Sequence, residues 1–172
     1  MLKLGAAVCM MLMVSGLALA SDDFLLVGHS HRVVDGDTIV LDGQKIRLLG
    51  IDAPEMDQLC QDEEGNPWHC GARARDMLIG MLAAARSPVS CRITGKDRYR
   101  RLLGRCYAGG EHEGLDVQRA LVRSGLAVAE YTNHYRVEEG LADAGALGLW
   151  AGRFERPKDW RRSKRQKSGD GN

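Results

Sequence analysis

Hydrophobic and polar positions fall into short blocks at first and into helical spacing later. Residues 24–34 carry an apolar run that ends at Val33-Val34 and breaks at Asp35-Gly36-Asp37. Thr38-Ile39-Val40-Leu41 is a β-branched run, Asp42-Gly43 follows, and residues 45–51 (KIRLLGI) form the next extended block. Asp-Gly between two such blocks is a hairpin signal, because tight two-residue turns need the positive φ that these residues tolerate. Three short strands joined by tight turns are therefore predicted to open the domain.

Residues 52–70 contain Pro54, Gly65, Pro67 and many acids, the composition of a long loop. Residues 71–85 place Ala74, Met77, Leu78, Met81, Leu82 and Ala85 at helical spacing, with Pro88 beyond the end. Residues 89–94 alternate as a strand, a basic turn follows, and residues 102–107 read as a fifth strand. A short helix is predicted over 115–124, with Gly125 past its end. A last helix is predicted over 135–150, with Leu141, Ala144, Leu147 and Trp150 as candidates for its buried face. Beyond Trp160 the chain is basic and polar and is expected to be mobile at its end. Five strands with a helix between the third and fourth fit an α+β fold: a five-stranded OB-type β-barrel with about three helices. No internal repeat or second domain is visible.

The 172-residue chain opens with Lys3, a nearly unbroken apolar run over residues 4–19, and Ala18-Leu19-Ala20. That is the order of an export signal, and the run is short for a bilayer span. Residues 1–20 are expected to be removed, taking Cys9 with them. Residues 21–155 then form the domain and 156–172 a basic tail, with the mature protein exported to the periplasm or secreted.

Without Lys3, 23 basic residues face 23 acidic ones, so net charge carries no message about partners. Distribution carries more. Arg92, Lys96, Arg98, Arg100, Arg101 and Arg105 face Asp97 alone within residues 92–105, while residues 57–64 are acidic. Such segregation suits a phosphate-facing side, and also occurs on solvated surfaces.

Cys60, Cys70, Cys91 and Cys106 remain after export, with no C-x-x-C pair among them. An even number in an oxidising compartment favours disulfides over zinc. Three pairings are possible; Cys60–Cys70 and Cys91–Cys106 are favoured because each closes a short loop or links neighbouring strands. Closure of loops this size stabilises by about 3 kcal/mol in the chain-entropy description.

The chemistry-bearing residues cluster in two places. Val33-Val34-Asp35-Gly36-Asp37-Thr38, followed by Ile46-Arg47-Leu48-Leu49-Gly50-Ile51-Asp52-Ala53-Pro54-Glu55, resembles the signature of staphylococcal-nuclease-like (thermonuclease) proteins. Asp97-Arg98-Tyr99-Arg100-Arg101-Leu102-Leu103-Gly104-Arg105 is similar to the family's second, basic motif. Residues 121–126 (LVRSGL) and Gly148-Leu149-Trp150 are similar to its later helices, so the likeness spans about residues 26–150. Dinucleotide, phosphate-loop and zinc-protease signatures are absent.

The resemblance implies a calcium-dependent nuclease that hydrolyses DNA and RNA with little sequence specificity, leaving 3′-phosphate and 5′-hydroxyl ends. It implies one Ca²⁺ held by Asp37, Asp52 and the Ala53 carbonyl, with Glu55 acting on the attacking water. It also implies Arg47 and Arg101 on the phosphate, and Arg98, Tyr99 and Tyr131 on the substrate's terminal phosphate and base. The residue types agree. Hydrolysis of an anionic diester needs charge neutralisation, a positioned water and stabilisation of the crowded transition state. Calcium accepts flexible all-oxygen coordination, and guanidinium grips phosphate oxygens in pairs. Taken alone, Asp35 and Asp37 read as turn residues; Asp52-Ala53-Pro54-Glu55 reverses that reading. The alternative function is an OB-type nucleic-acid-binding module that has lost turnover. Two departures stand out: Arg100 replaces the family's usual glycine, and Ala53 stands where some relatives have threonine. An arginine forced to positive φ at position 100 costs about 1 kcal/mol.

Overall fold

A computed structural model of the chain describes residues 23–85, 88–111 and 113–169. The export signal expected at residues 1–20 lies outside the described residues. The described residues open with strands β1 (Phe24–Gly28), β2 (His31–Asp35), β3 (Thr38–Leu41), β4 (Gln44–Leu48) and β5 (Ile51–Asp52). A hairpin of β6 (Leu59–Gln61) and β7 (Pro67–His69) leads into helix α1 (Cys70–Ala84). Strands β8 (Val89–Lys96), β9 (Leu102–Ala108) and β10 (Leu115–Asp116) precede α2 (Val117–Arg123). Then come β11 (Val128–Ala129), α3 (Arg136–Ala144), a 3-10 turn (Gly148–Ala151) and α4 (Pro157–Gly169).

The main sheet runs β1-β8-β9-β4-β3-β2, antiparallel throughout except where β4 lies parallel to β9. Its two ends, β1 and β2, are separated only by His29 and Ser30, so they are one bent strand. That strand pairs with β8 through one half and with β3 through the other. Bent β1–β2, β3, β4, β8 and β9 make the five strands of the OB-type barrel. The Asp42-Gly43 turn supplies the positive φ values its hairpin needs, 43° and 82°.

Alternation on β9 buries Leu102, Gly104, Cys106 and Ala108, with the residues between them only partly covered. These meet Ile39, Leu41, Ile46, Leu48, Val89, Cys91 and Ile93 inside the barrel. Helix α1 closes one end with Ala74, Leu78 and Leu82, four residues apart and all buried. Fully burying a leucine side chain stabilises by about 1.5–3 kcal/mol, so Leu78→Ala is expected to be costly. Gln118 lies fully buried yet satisfied: its side-chain oxygen accepts the Cys106 N–H, and its amide donates to Gly104 and Leu49 carbonyls. It fixes α2 against β9 by hydrogen bonds, where an apolar contact would leave those backbone groups unpaired.

Both favoured disulfides are present, Cys60–Cys70 and Cys91–Cys106. The second joins residues directly opposite on β8 and β9.

Three expectations are corrected. The segment read as an open loop contains the β6–β7 hairpin, tied at its tip by Asp62, whose carboxylate accepts the Glu64 and Asn66 N–H groups. The last predicted helix ends at Ala144 because Ala146 adopts φ 48° and the Leu147 N–H turns back to the Ala142 carbonyl. Its buried face is consequently Glu138, Glu139 and Ala142, while Leu141, Ala144 and Leu147 are exposed. The acids bury because Arg119 pairs with Glu138, and Arg136 and Arg156 pair with Glu139. Finally, the polar C-terminal segment, read as a tail without secondary structure, is helical as α4; the chain's end expected to be mobile, residues 170–172, lies outside the described residues.

Candidate active site

The turn between β2 and β3 carries Asp37, and the end of β5 carries Asp52. Both carboxylates are buried, at 3% and 0% exposure, and both reach the same guanidinium. Arg47, on β4 opposite Thr38, pairs with Asp37 through one nitrogen and with Asp52 through the other at 2.7 Å. Asp37 also accepts the Ala53 N–H at 2.9 Å and the Thr38 hydroxyl at 3.2 Å, while its own N–H donates to Asp35. Small residues make this closeness possible. A Cβ on Gly36 would lie 2.7 Å from the Ala53 Cβ and 2.8 Å from that of Ala74 on α1. A Cβ on Gly71 would strike the Glu55 carbonyl. The Ala53-Pro54-Glu55 loop therefore rests directly on the first turn of α1. Glu55 is partly exposed, and its backbone is held by Gln58 on both sides.

The second cluster is the turn between β8 and β9. Asp97 organises it: one carboxylate oxygen accepts the Tyr99 and Arg101 N–H groups at 2.9 Å, and the other accepts Arg101 Nε at 2.7 Å. Burial works to raise the Asp97 carboxyl, but the hydrogen bonds and charge of Arg101 outweigh it and hold the group below its usual range. Arg98 lies over the Tyr99 ring at 4.8 Å and donates to its hydroxyl.

Residues of both clusters line one cavity of about 720 Å³. Asp37, Arg47, Ala53, Glu55, Arg98, Tyr99, Arg101 and Tyr131 all contribute to its wall. Of the residues singled out from sequence, Asp52 and the cysteines do not. Asp52 lies just behind the wall, and the disulfides serve the scaffold. Tyr131 is exposed, adopts φ 68°, and has Lys158 over its ring.

The pattern of staphylococcal nuclease homologues matches residues 45–152. The chain belongs to the staphylococcal nuclease family. It is 37% identical over 128 residues to the succinoglycan biosynthesis protein ExoI of Rhizobium meliloti strain 1021, covering 73% of this chain and 64% of that one. An uncharacterized endonuclease of Escherichia coli O157:H7 is 38% identical over 104 residues, 58% of each chain. A thermonuclease of Staphylococcus hyicus is 30% identical over 118 residues, 66% of this chain and 65% of its own. The chain thus spans a little under two thirds of the length of these relatives.

Two further features bear on the site. Arg100 adopts φ 65°, the left-handed conformation for which glycine is suited. The turn nevertheless closes, because the Arg100 N–H donates to the Asp97 carbonyl and the Asp97 N–H to the Arg101 carbonyl. The second feature is α4, beyond the matched residues. Its Arg161 and Arg165 line the same cavity. Arg161 places one nitrogen 2.8 Å from Asp52 Oδ2, and the other 3.1 Å from Asp52 Oδ1 and 2.9 Å from Glu55. Burial opposes the charge on Arg161, but hydrogen bonds to Asp52 and Glu55 prevail and hold it protonated well above its ordinary range. Sequence reasoning assigned both arginines to a tail; their i, i+4 spacing was the one available signal, since it puts them on one helix face.

Among the described residues, no three histidine, cysteine or acidic side chains form a ready cluster for a metal. The Asp37 and Asp52 carboxylates offer oxygen donors. Two buried carboxylates that already draw two guanidiniums toward them fit a hard divalent ion such as Ca²⁺, with water completing its shell.

Proposed function

We propose that this protein is a calcium-dependent nuclease that hydrolyses phosphodiester bonds in DNA and RNA with little sequence specificity, leaving 3′-phosphate and 5′-hydroxyl ends. The observation that carries this reading is the meeting of Asp37, Arg47, Glu55 and Arg101, drawn from separate elements, on one cavity. Membership of the staphylococcal nuclease family supports it. So does the similarity to the uncharacterized endonuclease of Escherichia coli O157:H7.

Asp37, Asp52 and the Ala53 carbonyl are the residues assigned to hold the ion, which when bound supplies positive charge against the phosphate oxygens and the developing negative charge. Arg47 and Arg101, both on the cavity wall, are assigned to donate to the non-bridging oxygens of the scissile phosphate. Their work is greatest in the transition state, where those oxygens are most negative. Glu55, partly exposed on a loop fixed by Pro54 and Gln58, accepts a hydrogen bond from the attacking water and takes its proton. Tyr99, with Arg98 against its ring, and Tyr131 across the cavity are assigned to the substrate's terminal phosphate and base. The apolar run at residues 4–19 and the two disulfides support export to a periplasmic or external compartment.

The test is cleavage of plasmid and single-stranded DNA by the purified protein, with Ca²⁺ or with a chelator, beside Glu55→Gln. Ca²⁺-dependent cleavage that Glu55→Gln abolishes is expected. Cleavage that survives the chelator or the substitution rejects the mechanism. Tight binding without cleavage points instead to a nucleic-acid-binding module.

A further inference from the structure

Asp52, a residue assigned to the ion, has no exposed surface and does not reach the cavity wall. Arg161 contacts both of its carboxylate oxygens. Oδ1 of Asp52 accepts from Arg47 and from Arg161, and Oδ2 accepts from the second nitrogen of Arg161. The same Arg161 nitrogen bridges to Glu55 at 2.9 Å. A divalent ion bound to Asp52 needs a free lone pair directed at it and is repelled by each guanidinium alongside. Arg47 and Arg161 together take three of the roughly four lone-pair sites of the carboxylate, and Arg161 adds a second positive charge to that of Arg47.

The two arginines on Asp52 differ in how firmly they are held. Arg47 sits mid-strand between β3 and β9, its side chain 15% exposed and shared with Asp37. Arg161 stands on a helix whose one buried residue is Pro157. That helix is held by hydrogen bonds from Gln58 and Gln61 to the Glu155 and Arg153 carbonyls just before it, and by the exposed pairs Lys158–Glu130 and Lys164–Asp57. Exposed ion pairs contribute little each, so apart from Arg161's own pairs with Asp52 and Glu55 and the Arg156–Glu139 pair ahead of it, little ties α4 to the barrel.

We propose that Arg161 and the divalent cation compete for Asp52 and Glu55, so that α4 sets the affinity of the site for its ion. Arg161 is a positioning residue in this reading. It holds the two acids in place while the ion is absent and leaves them when the ion arrives. The displaced guanidinium stays beside a cavity already lined by Arg98, Arg101 and Arg165, where the phosphate of an incoming strand gives it a new partner. α4 lies outside the residues matched to the family. The proposal rests on the ion assignment made under the proposed function.

Calorimetric titration of Ca²⁺ into the full chain, without nucleic acid, tests it. Arg161→Gln is expected to lower the Ca²⁺ dissociation constant at least tenfold. Arg161→Lys keeps the charge but loses the two-pronged contact, and is expected to fall between that variant and the parent. Asp52→Asn, as the control on the ion site, is expected to abolish binding. Thermal unfolding establishes that each variant is folded. A residue with a purely structural role does not tighten ion binding when removed. Unchanged or weakened affinity in Arg161→Gln, with binding still lost in Asp52→Asn, overturns the competition and leaves the nuclease reading standing. Absence of Ca²⁺ binding in the parent and in Arg161→Gln overturns both.

Discussion

Asp37 Oδ2 accepts the Ala53 N–H at 2.9 Å, tying the turn after β2 to the strand end that carries Asp52. One carboxylate thus has two tasks: it builds the site, and it is assigned to the ion. The tasks are separable by substitution. Asp37→Ala leaves a buried N–H unpaired and is expected to cost about 1–3 kcal/mol of stability. Asp37→Asn keeps an acceptor there and is expected to cost less. Both should lose roughly 100-fold or more in cleavage, the scale of a lost transition-state contact. Urea unfolding beside a plasmid-nicking assay checks this; equal stability of the two variants would contradict the assigned hydrogen bond.

Arg47 and Arg101 carry the same proposed chemistry in different surroundings, and that difference is measurable. Arg47 neutralises two buried carboxylates, whereas Arg101 pairs with Asp97 at a partly exposed turn. Removing one partner of a buried pair leaves an uncompensated charge and costs about 3–5 kcal/mol, while exposed pairs contribute about 1 kcal/mol or less. Arg47→Ala is expected near the low end of the first range, because Arg161 still faces Asp52. Arg101→Ala should stay near the second. Cleavage should collapse in both. Denaturant midpoints for the pair decide it, and a destabilisation of Arg101→Ala matching that of Arg47→Ala would refute the asymmetry.

The contrast between these arginines also shows how far the amino-acid pattern reaches. The hairpin at Asp42-Gly43, the buried face of α1 and the cross-strand pair Cys91–Cys106 follow from local signals: turn residues, four-residue spacing, short loops. The barrel follows from their order along the chain. The end of α3 was illegible because it depends on a backbone reversal at Ala146, a residue with no preference for positive φ. The burial of Glu138 and Glu139 was illegible because the arginines that permit it stand elsewhere in the chain. For the site, Asp37, Arg47, Asp52, Glu55 and Arg101 sit in strings recognisable by type and spacing. Arg161 sits in none: it reaches Asp52 across 109 positions, and α4 has no apolar stripe to announce that it docks.

Asp97 provides a pH test. Its folded pKa lies below the value of 3.8 expected for the unfolded chain, so the folded state favours the carboxylate. The stability it contributes is therefore complete above that unfolded value and is lost as pH falls through the folded one. Asp97→Asn should flatten the acid limb of the stability curve from about pH 5 downward, and lower stability at neutral pH. Urea unfolding across that range is the measurement. An acid limb as steep as the parent's would show that Asp97 is not titrating in this way.

Arg100 offers the sharpest conformational test, because its strain is independent of any ligand. At φ 65° an L side chain crowds its own backbone, and the left-handed conformation costs roughly 1–2 kcal/mol relative to the right-handed one. Glycine relieves that strain but has more freedom to lose from the unfolded chain, by roughly 0.5–1 kcal/mol. The first effect is the larger, so Arg100→Gly is expected to stabilise the protein by about 0.5 kcal/mol, whereas Arg100→Ala keeps the strain and should not. Because Asp97 holds the Tyr99 and Arg101 N–H groups whatever stands between them, Arg101 should keep its place and cleavage should change by no more than about twofold. Paired urea unfolding and cleavage assays check both statements. A lower midpoint for the glycine variant would mean that the Arg100 side chain makes contacts that outweigh its backbone strain.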